Sequence, residues 1–369
     1  MAAHRFSRRW LLVAAGAAGL VGASAVTLPA AAIGPVDPAA LRDRILGSDP
    51  PYVGLAESTG RLGLPQIPQL ESMIALLTGT TRVRAYVAGA QRWRADEINP
   101  AGERDTYHLG GVEFVWDFGA NQLTSVLGQA PVRLLRAGDM LPPDLARRLL
   151  QLAPTDTVTA LPPRRIAGRT GAGLRLTPAD PDTLIGPIDV WADPVTALPL
   201  RVEVSARTGA PLLTTEFLEI SDGPPAEAAL VPPRPVGAGI VTSNAADLGG
   251  ALRVLNPPPP PDRLAGRDRR PNPEGTVDLP GVGVYGSGLA GFVLIPANRD
   301  IAERAIDGAT VAGGVAIAVS APLRAARVAT PLLSVAARSR GRSGELLVGS
   351  VAPEVLEQAV LELPVRRRP

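Results

Sequence analysis

The chain has 369 residues, 46% hydrophobic and 20% charged, so it can bury a sizeable core, and its length suits about two domains. The formal net charge is only +2, and no basic surface with interleaved aromatic residues is apparent, which argues against nucleic-acid binding. The chain has no Cys and two His, of which His4 lies near the amino terminus. Disulfides, thiolate nucleophiles and sites built from several Cys or His ligands are therefore excluded.

The amino terminus has the pattern of an export signal. Basic residues between His4 and Arg9 precede an uncharged run from Trp10 to Gly34, and residues 30–32 offer a small-residue cleavage site. We expect residues 1–34 to be a signal peptide. A retained membrane anchor is the alternative, because the run exceeds the roughly 20 residues that span a bilayer. Both readings predict an exported protein, and the choice between Sec and twin-arginine export stays open.

Helices and a strand meander are predicted in the first half of the chain. Asp37 followed by Pro38 marks a helix start, and the spacing of apolar residues predicts further helices over 69–77 and 142–152. Between the last two, a two-residue alternation predicts five strands, at 81–88, 92–98, 104–109, 112–118 and 123–127. Arginines and carboxylates of these strands, Asp96 among them, are expected to pair on a solvent-facing side.

The most regular stretch, 188–205, predicts a hairpin. Each arm alternates apolar and polar residues, and Asp193 followed by Pro194 supplies the turn. Further strands are predicted over 157–161, 165–167, 172–177 and 212–220. Because an isolated hairpin is only marginally stable, these strands should combine into one antiparallel sheet with a helical cover, which is an α+β fold.

Proline and glycine are frequent in residues 223–275, which predicts a linker that buries no core. A smaller α+β domain is predicted over 276–364. Its strands are expected at 282–285, 292–295, 315–319 and 345–351, and its helices at 300–306 and 353–361. Residues 365–369 form a basic tail that we expect to be solvated.

No pattern typical of catalysis or cofactor binding is found. Gly286, Gly288 and Gly291 match a dinucleotide-binding spacing, but the residues after them predict a strand instead of the helix that receives a pyrophosphate. His108 could act as a general base, yet no serine stands in a nucleophile-elbow sequence. Four carboxylates lack calcium-loop spacing: Asp180, Asp182, Asp189 and Asp193. We therefore expect no enzyme activity, no cofactor and no metal.

Several short motifs are together similar to those of a known family. They are residues 82–98 and 112–118, Ile166-Ala167-Gly168-Arg169 ahead of 174–178, Asp193-Pro194-Val195-Thr196-Ala197 with the residues to 201, and 284–292 and 346–353. In these motifs the chain resembles the MucB/RseB family of sigma-E regulatory proteins. Ala197 stands where that family usually has Gly.

The resemblance implies that residues 35–222 form a domain like LolA, LolB and LppX, a curved antiparallel half-barrel sheet with a helical lid. It also implies an exported protein, periplasmic or in the cell envelope, that binds an acyl chain or lipoprotein and docks on an anti-sigma factor. Membrane association would follow if residues 1–34 are retained. The half-barrel and the strand alternation predict six residues that line the ligand: Val83, Val87, Phe114, Trp116, Val190 and Val202.

Three alternatives remain at this point. The first is a lipid or lipoprotein carrier without a regulatory role. The second is a structural interaction module whose core is filled and holds no ligand. The third is an exported hydrolase, which activity lost on His108→Ala would support.

Overall fold

The computed structural model describes residues 34, 36–63, 71–99, 102–127, 135–244, 248–271 and 279–364. The predicted export signal, apart from Gly34, and the predicted basic tail lie outside the described residues. Within the described residues, no helix is long and apolar enough to cross a membrane.

Twelve strands between Tyr52 and Asn244 form one large sheet. Its strands, numbered along the chain, are β1 (Tyr52–Gly60), β2 (Thr80–Gly89), β3 (Arg92–Asn99), β4 (Gly102–Leu109), β5 (Val112–Asp117), β6 (Gln122–Leu127), β7 (Thr157–Ile166), β8 (Arg169–Thr177), β9 (Ile185–Ala192), β10 (Pro199–Ala206), β11 (Pro211–Asp222) and β12 (Gly239–Asn244). Their order is β12-β6-β5-β4-β3-β2-β1-β11-β10-β9-β8-β7. The edge strands β12 and β7 do not pair, so the sheet is not closed into a barrel.

The centre of the sheet joins its two sequence halves. β1 pairs antiparallel with β2 on one side and with β11 on the other, with Tyr52 opposite Val87 and Asp222. Buried and half-buried residues alternate along β1 without interruption. This two-residue period is that of a strand with one face packed against a core.

Helices α1 (Pro38–Gly47), α2 (Glu71–Thr78) and α3 (Pro142–Leu152) lie in this part of the chain. Asp37 caps α1 by accepting hydrogen bonds from the amides of Ala39 and Ala40 at 3.2 and 3.3 Å. On one face of the sheet, α1 packs on β7 and β8, α3 packs on β10 and β11, and a short 3-10 helix, Ala137–Met140, packs on β2 and β3. The core between them and the sheet includes Leu41, Ile45, Met140, Leu145, Leu149 and Leu150.

The predicted hairpin is present as β9 and β10, with Val190 directly opposite Val202. The Asp193 carboxylate accepts hydrogen bonds from the amides of Val195 (2.8 Å) and Thr196 (3.0 Å), which fixes the turn. Ala197 has a φ of +57°. This left-handed conformation favours glycine, which gives a physical reason for the glycine usual at this position in the resembled family.

The predicted linker, 223–275, contains more regular structure than expected. A 3-10 helix (Glu227–Leu230), strand β12, helix α4 (Leu248–Leu255) and the short pair β13 (Arg263–Leu264) and β14 (Arg267–Asp268) lie within it. β12 adds to β6 in parallel, the single parallel pairing among the described strands of the large sheet. Gly239–Asn244 contains no proline, so its backbone can complete the hydrogen-bond ladder of the β6 edge.

A second sheet of six described strands follows: β15 (Gly283–Tyr285), β16 (Phe292–Asn298), β17 (Val315–Ala316), β18 (Arg324–Ala329), β19 (Ser334–Arg340) and β20 (Ser343–Gly349), in the order β15-β16-β20-β19-β18-β17. Helices α5 (Arg299–Val311) and α6 (Pro353–Glu362) pack on its opposite faces. Strands β18 and β19 were not expected from the sequence. Small residues permit the close packing: a Cβ at Gly344 would lie 2.2 Å from the Ala302 Cβ of α5.

Candidate functional site

The predicted ligand lining falls on the two faces of the large sheet. Val83, Val87, Val190 and Val202 lie on the face that the helices cover. Cross-strand register places Val87 opposite Tyr52, and Val190 opposite Val202. Val190 and Val202 have no exposed surface, because helix side chains pack against this part of the sheet.

Phe114 and Trp116 lie on the opposite face. They form a separate apolar cluster with Tyr107, Leu123 and Ala238, and Ala238 comes from the segment before β12. The strand register explains why these two residues do not share a sheet face with the four valines. Phe114 is paired with Tyr107 of β4, and Tyr107 is paired with Arg94 of β3. The sheet therefore has two separate apolar regions, one beneath the helices and one beneath residues from the predicted linker.

An open depression of about 310 Å³ lies beside the hairpin turn. Its lining is Arg44, Gly47, Ser48, Val195, Thr196 and Ala197. The Arg44 guanidinium donates to the carbonyls of Pro194 (2.9 Å) and Val195 (2.8 Å), so its main polar group is already engaged. None of the six predicted lining residues borders this depression.

A buried ion cluster lies next to the Phe114 and Trp116 region. Arg94 Nε donates to Asp96 Oδ1 at 2.5 Å, and Arg94 Nη2 donates to Asp105 Oδ2 at 2.9 Å. The Tyr107 hydroxyl also donates to Asp105 Oδ2, at 3.3 Å. Asp96 and Asp105 face each other on β3 and β4, and both are buried, with exposed fractions of 1% and 0%. Glu103 completes a group of three carboxylates whose nearest oxygens all lie within 4.8 Å of one another.

The electrostatics of this cluster are unusual for surface strands. Burial, together with the neighbouring Asp96 carboxylate, raises the pKa of Asp105 from 3.8 to about 7. Burial also raises the pKa of Asp96, against the lowering effect of Arg94. Asp105 Oδ1 and Trp116 Nε1 are buried and have no hydrogen-bond partner, and these two residues are directly opposite each other on β4 and β5.

The sequence did not predict this cluster, since Asp96 was expected on a solvent-facing side. It is buried because the 3-10 helix Glu227–Leu230 packs over β3, where the carbonyl of Ala229 accepts from Arg94 Nη1 at 3.3 Å. The available signal was the pair of aspartates on neighbouring strands, each two residues from an arginine or tyrosine of the same face. The cover itself comes from more than a hundred residues away in the chain.

The other residues considered from the sequence lie apart. His108 stacks on Trp93 with ring centroids 5.4 Å apart. Asp189 forms two 2.7 Å hydrogen bonds with Arg175, and Asp180 and Asp182 pair with Arg267. Residues 286–291 connect the antiparallel strands β15 and β16, so a strand follows the glycines as predicted.

Comparison with known proteins adds a direct finding. Residues 120–235 match the family model described as the MucB/RseB N-terminal domain. The resemblance to the MucB/RseB family is confirmed. The matched segment runs from the turn before β6 through the hairpin β9–β10 to the residues that cover the ion cluster of Arg94, Asp96 and Asp105. No curated protein sequence matches the chain.

Solved structures of MucB are similar in part. MucB in the MucA/MucB complex of Pseudomonas aeruginosa has 18% sequence identity and a TM-score of 0.48, with 88% of this chain and 97% of that one covered. A second structure, MucB in complex with MucA(peri), has 17% identity and a TM-score of 0.45 over the same shares of both chains. A LolA superfamily protein from Nitrosomonas europaea has 11% identity and a TM-score of 0.24, covering 54% of this chain and 99% of that one.

Proposed function

We propose that this chain is an exported, non-enzymatic binding protein that regulates a sigma factor by docking on its anti-sigma factor. The observation that carries the proposal is the match of residues 120–235 to the MucB/RseB N-terminal domain. The basic and apolar pattern of residues 1–34 supports export to the periplasm or cell envelope. The proposed partner is a membrane protein with one span and a cytoplasmic segment that binds a sigma factor.

A pull-down tests the partner. The full-length protein is immobilised and incubated with detergent-solubilised membranes of its own organism, with an unrelated exported protein as the control. We expect enrichment of one single-span protein whose cytoplasmic segment binds a sigma factor, and altered transcription from that sigma factor's promoters when the gene is deleted. Failure of both results would overturn the regulatory proposal.

The ligand that we propose is an acyl chain or the acyl tail of a lipoprotein. The support is the extended apolar core between the large sheet and helices α1 and α3, in which Val83, Val87, Val190 and Val202 lie. Each methylene removed from water contributes about 0.8 kcal/mol, so affinity does not need specific hydrogen bonds. Because helix side chains fill this core, an acyl chain enters only when α1 or α3 moves away from the sheet. Phe114 and Trp116 would line the second apolar region instead.

Enlarging each region separately tests the ligand proposal. The double variant Val190→Ala with Val202→Ala should increase uptake of a fluorescent acyl probe if the helix-covered face holds the ligand, and Phe114→Ala should do so if the opposite face does. Val241→Ala, at a 41% exposed position on the edge strand, is the control. Mass spectrometry of organic extracts of the wild-type protein identifies any lipid that copurifies.

The results separate the proposals. Lipid binding without a sigma-factor phenotype would favour a carrier without a regulatory role. A partner without any lipid or probe uptake would favour an interaction module that holds no ligand. Hydrolysis of ester or glycoside substrates that is lost in His108→Ala would overturn the non-enzymatic assignment.

A further inference from the structure

We propose that β12 (Gly239–Asn244) pairs with the same strand of a second copy of this chain, so that two large sheets join edge to edge in a closed dimer. This goes beyond the proposed function and does not depend on it. β12 is the last strand at one end of the large sheet, where it pairs in parallel with β6 and with no other described strand. Alternate residues of β12 turn their N–H and C=O groups away from β6, where a further strand can bind them.

The side chains at this edge are apolar and exposed. Ile240 is 69% exposed, and Val241, on the other face of the strand, is 41% exposed. Leu127 of β6, which lies on the same face as Ile240, is 48% exposed. An edge strand with these properties associates with another strand unless something protects it.

The same edge carries no charge. β6 and β12 are the only two of the twelve described strands of the large sheet that contain no Asp, Glu or Arg. In a dimer with a two-fold axis the contact is formed by the same strand of both copies, so a charge close to the axis would meet its own copy. The lack of charge on β6 and β12 removes this repulsion and therefore favours a second copy of the chain as the occupant.

The opposite edge of the large sheet is protected against strand addition. Strand β7 at that edge contains Pro162 and Pro163, which have no N–H to donate, followed by Arg164 and Arg165. Its pairing with β8 also shifts in register between Leu161 and Arg164. Prolines, charged residues and irregular pairing all hinder the addition of a strand. Because β12 is the unprotected end of this sheet, pairing with its own copy uses that end up, and association stops at two molecules.

Sedimentation velocity tests the dimer on protein purified from its own organism. We expect an equilibrium between monomer and dimer that shifts toward dimer as the concentration rises, with no larger species. Thr242→Lys places a like charge on both copies at the contact and should raise the dimer dissociation constant at least roughly tenfold. Thr159→Lys, the same change at an exposed position of the protected strand β7, should leave it unchanged.

Cysteine cross-linking locates the contact. The chain has no Cys, so single cysteines placed in turn at residues 239–243 report on their own positions alone. A two-fold axis makes the paired strands antiparallel, and the residue on the axis faces its own copy with about 4.5–5.5 Å between the Cα atoms, within reach of a disulfide. One of the five positions should therefore cross-link under mild oxidation. Val254→Cys, at an 87% exposed position of α4, should not.

Four results would overturn the proposal. They are a wild-type protein that stays monomeric over its whole soluble range, wild-type species larger than a dimer, equal weakening of the dimer by Thr159→Lys, and a dimer that cross-links at none of the five positions. Circular dichroism confirms that each variant is folded. The wild-type sedimentation result decides the oligomeric state even if a variant fails to fold.

Discussion

Arg267 Nη1 lies 3.0 Å from Asp180 Oδ2, and its Nη2 lies 2.8 Å from Asp182 Oδ2. This guanidinium joins β14, which bonds to the second sheet's β15, to the turn between β8 and β9 of the large sheet. Beside it, the Thr183 hydroxyl lies 2.8 Å from the carbonyl of Leu289, and the amide of Leu184 donates to the carbonyl of Ser350 at 2.9 Å. The two sheets are thus joined by a set of polar contacts centred on residues 180–184.

Arg267→Gln should destabilise the protein by about 1 kcal/mol at pH 7, since its carboxylate partners are partly exposed. Burial alone would raise the pKa of Asp180, but hydrogen bonds from Arg267 and from the Asp182 amide hold it below 3.8. The stabilisation is therefore present above the unfolded pKa and is lost as the pH falls through the folded pKa. Denaturant unfolding at pH 7 and pH 3 checks this. Arg269→Gln, whose partner Asp262 is 94% exposed, should have a smaller effect.

Asp105→Asn should change how stability depends on pH. The folded protein binds the Asp105 proton more tightly than the unfolded chain does, since its pKa is raised to about 7 by burial and by Asp96. Wild-type stability should therefore fall between about pH 4 and pH 7 through this group, and Asn removes that loss. Urea unfolding should show the variant gaining stability relative to wild type as the pH rises. A constant difference from pH 4 to pH 8 would contradict the raised pKa.

Phe217→Ala should cost about 3–5 kcal/mol of folding free energy. Phe217 is 1% exposed and meets the Tyr52 ring edge to face, with centroids 5.4 Å apart, at the pairing of β1 with β11. Leu218→Ala is the matched control, since this next residue of the same strand is 39% exposed. Its cost should be below about 1 kcal/mol. Similar losses in the two variants would show that the core does not lie on the Phe217 face.

Two glycine substitutions, one in the second sheet and one in helix α5, should change the stability of the protein in opposite directions. A Cβ at Gly344 would lie 2.2 Å from the Ala302 Cβ and 2.7 Å from the Arg338 carbonyl, so Gly344→Ala should push α5 off the sheet at a cost of roughly 1–3 kcal/mol. Gly308 is inside α5, and a methyl group added there would meet no neighbouring atom within 4 Å. Gly308→Ala should therefore stabilise the protein by about 0.5–1 kcal/mol through helix propensity. Thermal unfolding of both variants measures the contrast.

The elements that the sequence predicts well are those whose signal is local. The β9–β10 hairpin follows from the alternation of its arms and from Asp193, whose carboxylate bonds the turn amides two and three residues on. The start of α1 follows in the same way from Asp37 and Pro38. In both cases the decisive contacts join residues within three positions of one another, so the local sequence contains the information.

Features that depend on distant contacts were missed. The pairing of β12 with β6 brings Ile240 beside Leu123, and the proline-rich sequence around β12 gave no sign of it. Likewise, the residues of β3 and β4 indicate that Asp96 and Asp105 lie close together but not that they are buried, because their cover comes from residues 227–230. The two-face division of the predicted lining has the same cause, since strand alternation does not reveal which face a distant helix covers.

The pairing of β1 with β11 constrains the order in which the large sheet can be completed. The strands on either side, β2–β6 and β7–β10, pair with their neighbours in sequence, so they can pair as soon as they have been synthesised. The two groups of strands are joined only once residues 211–222, which form β11, have been synthesised. A chain that stops before residue 211 would expose the whole hydrogen-bonding edge of β1 in the middle of the molecule, so such fragments should aggregate instead of folding into a smaller version of the domain.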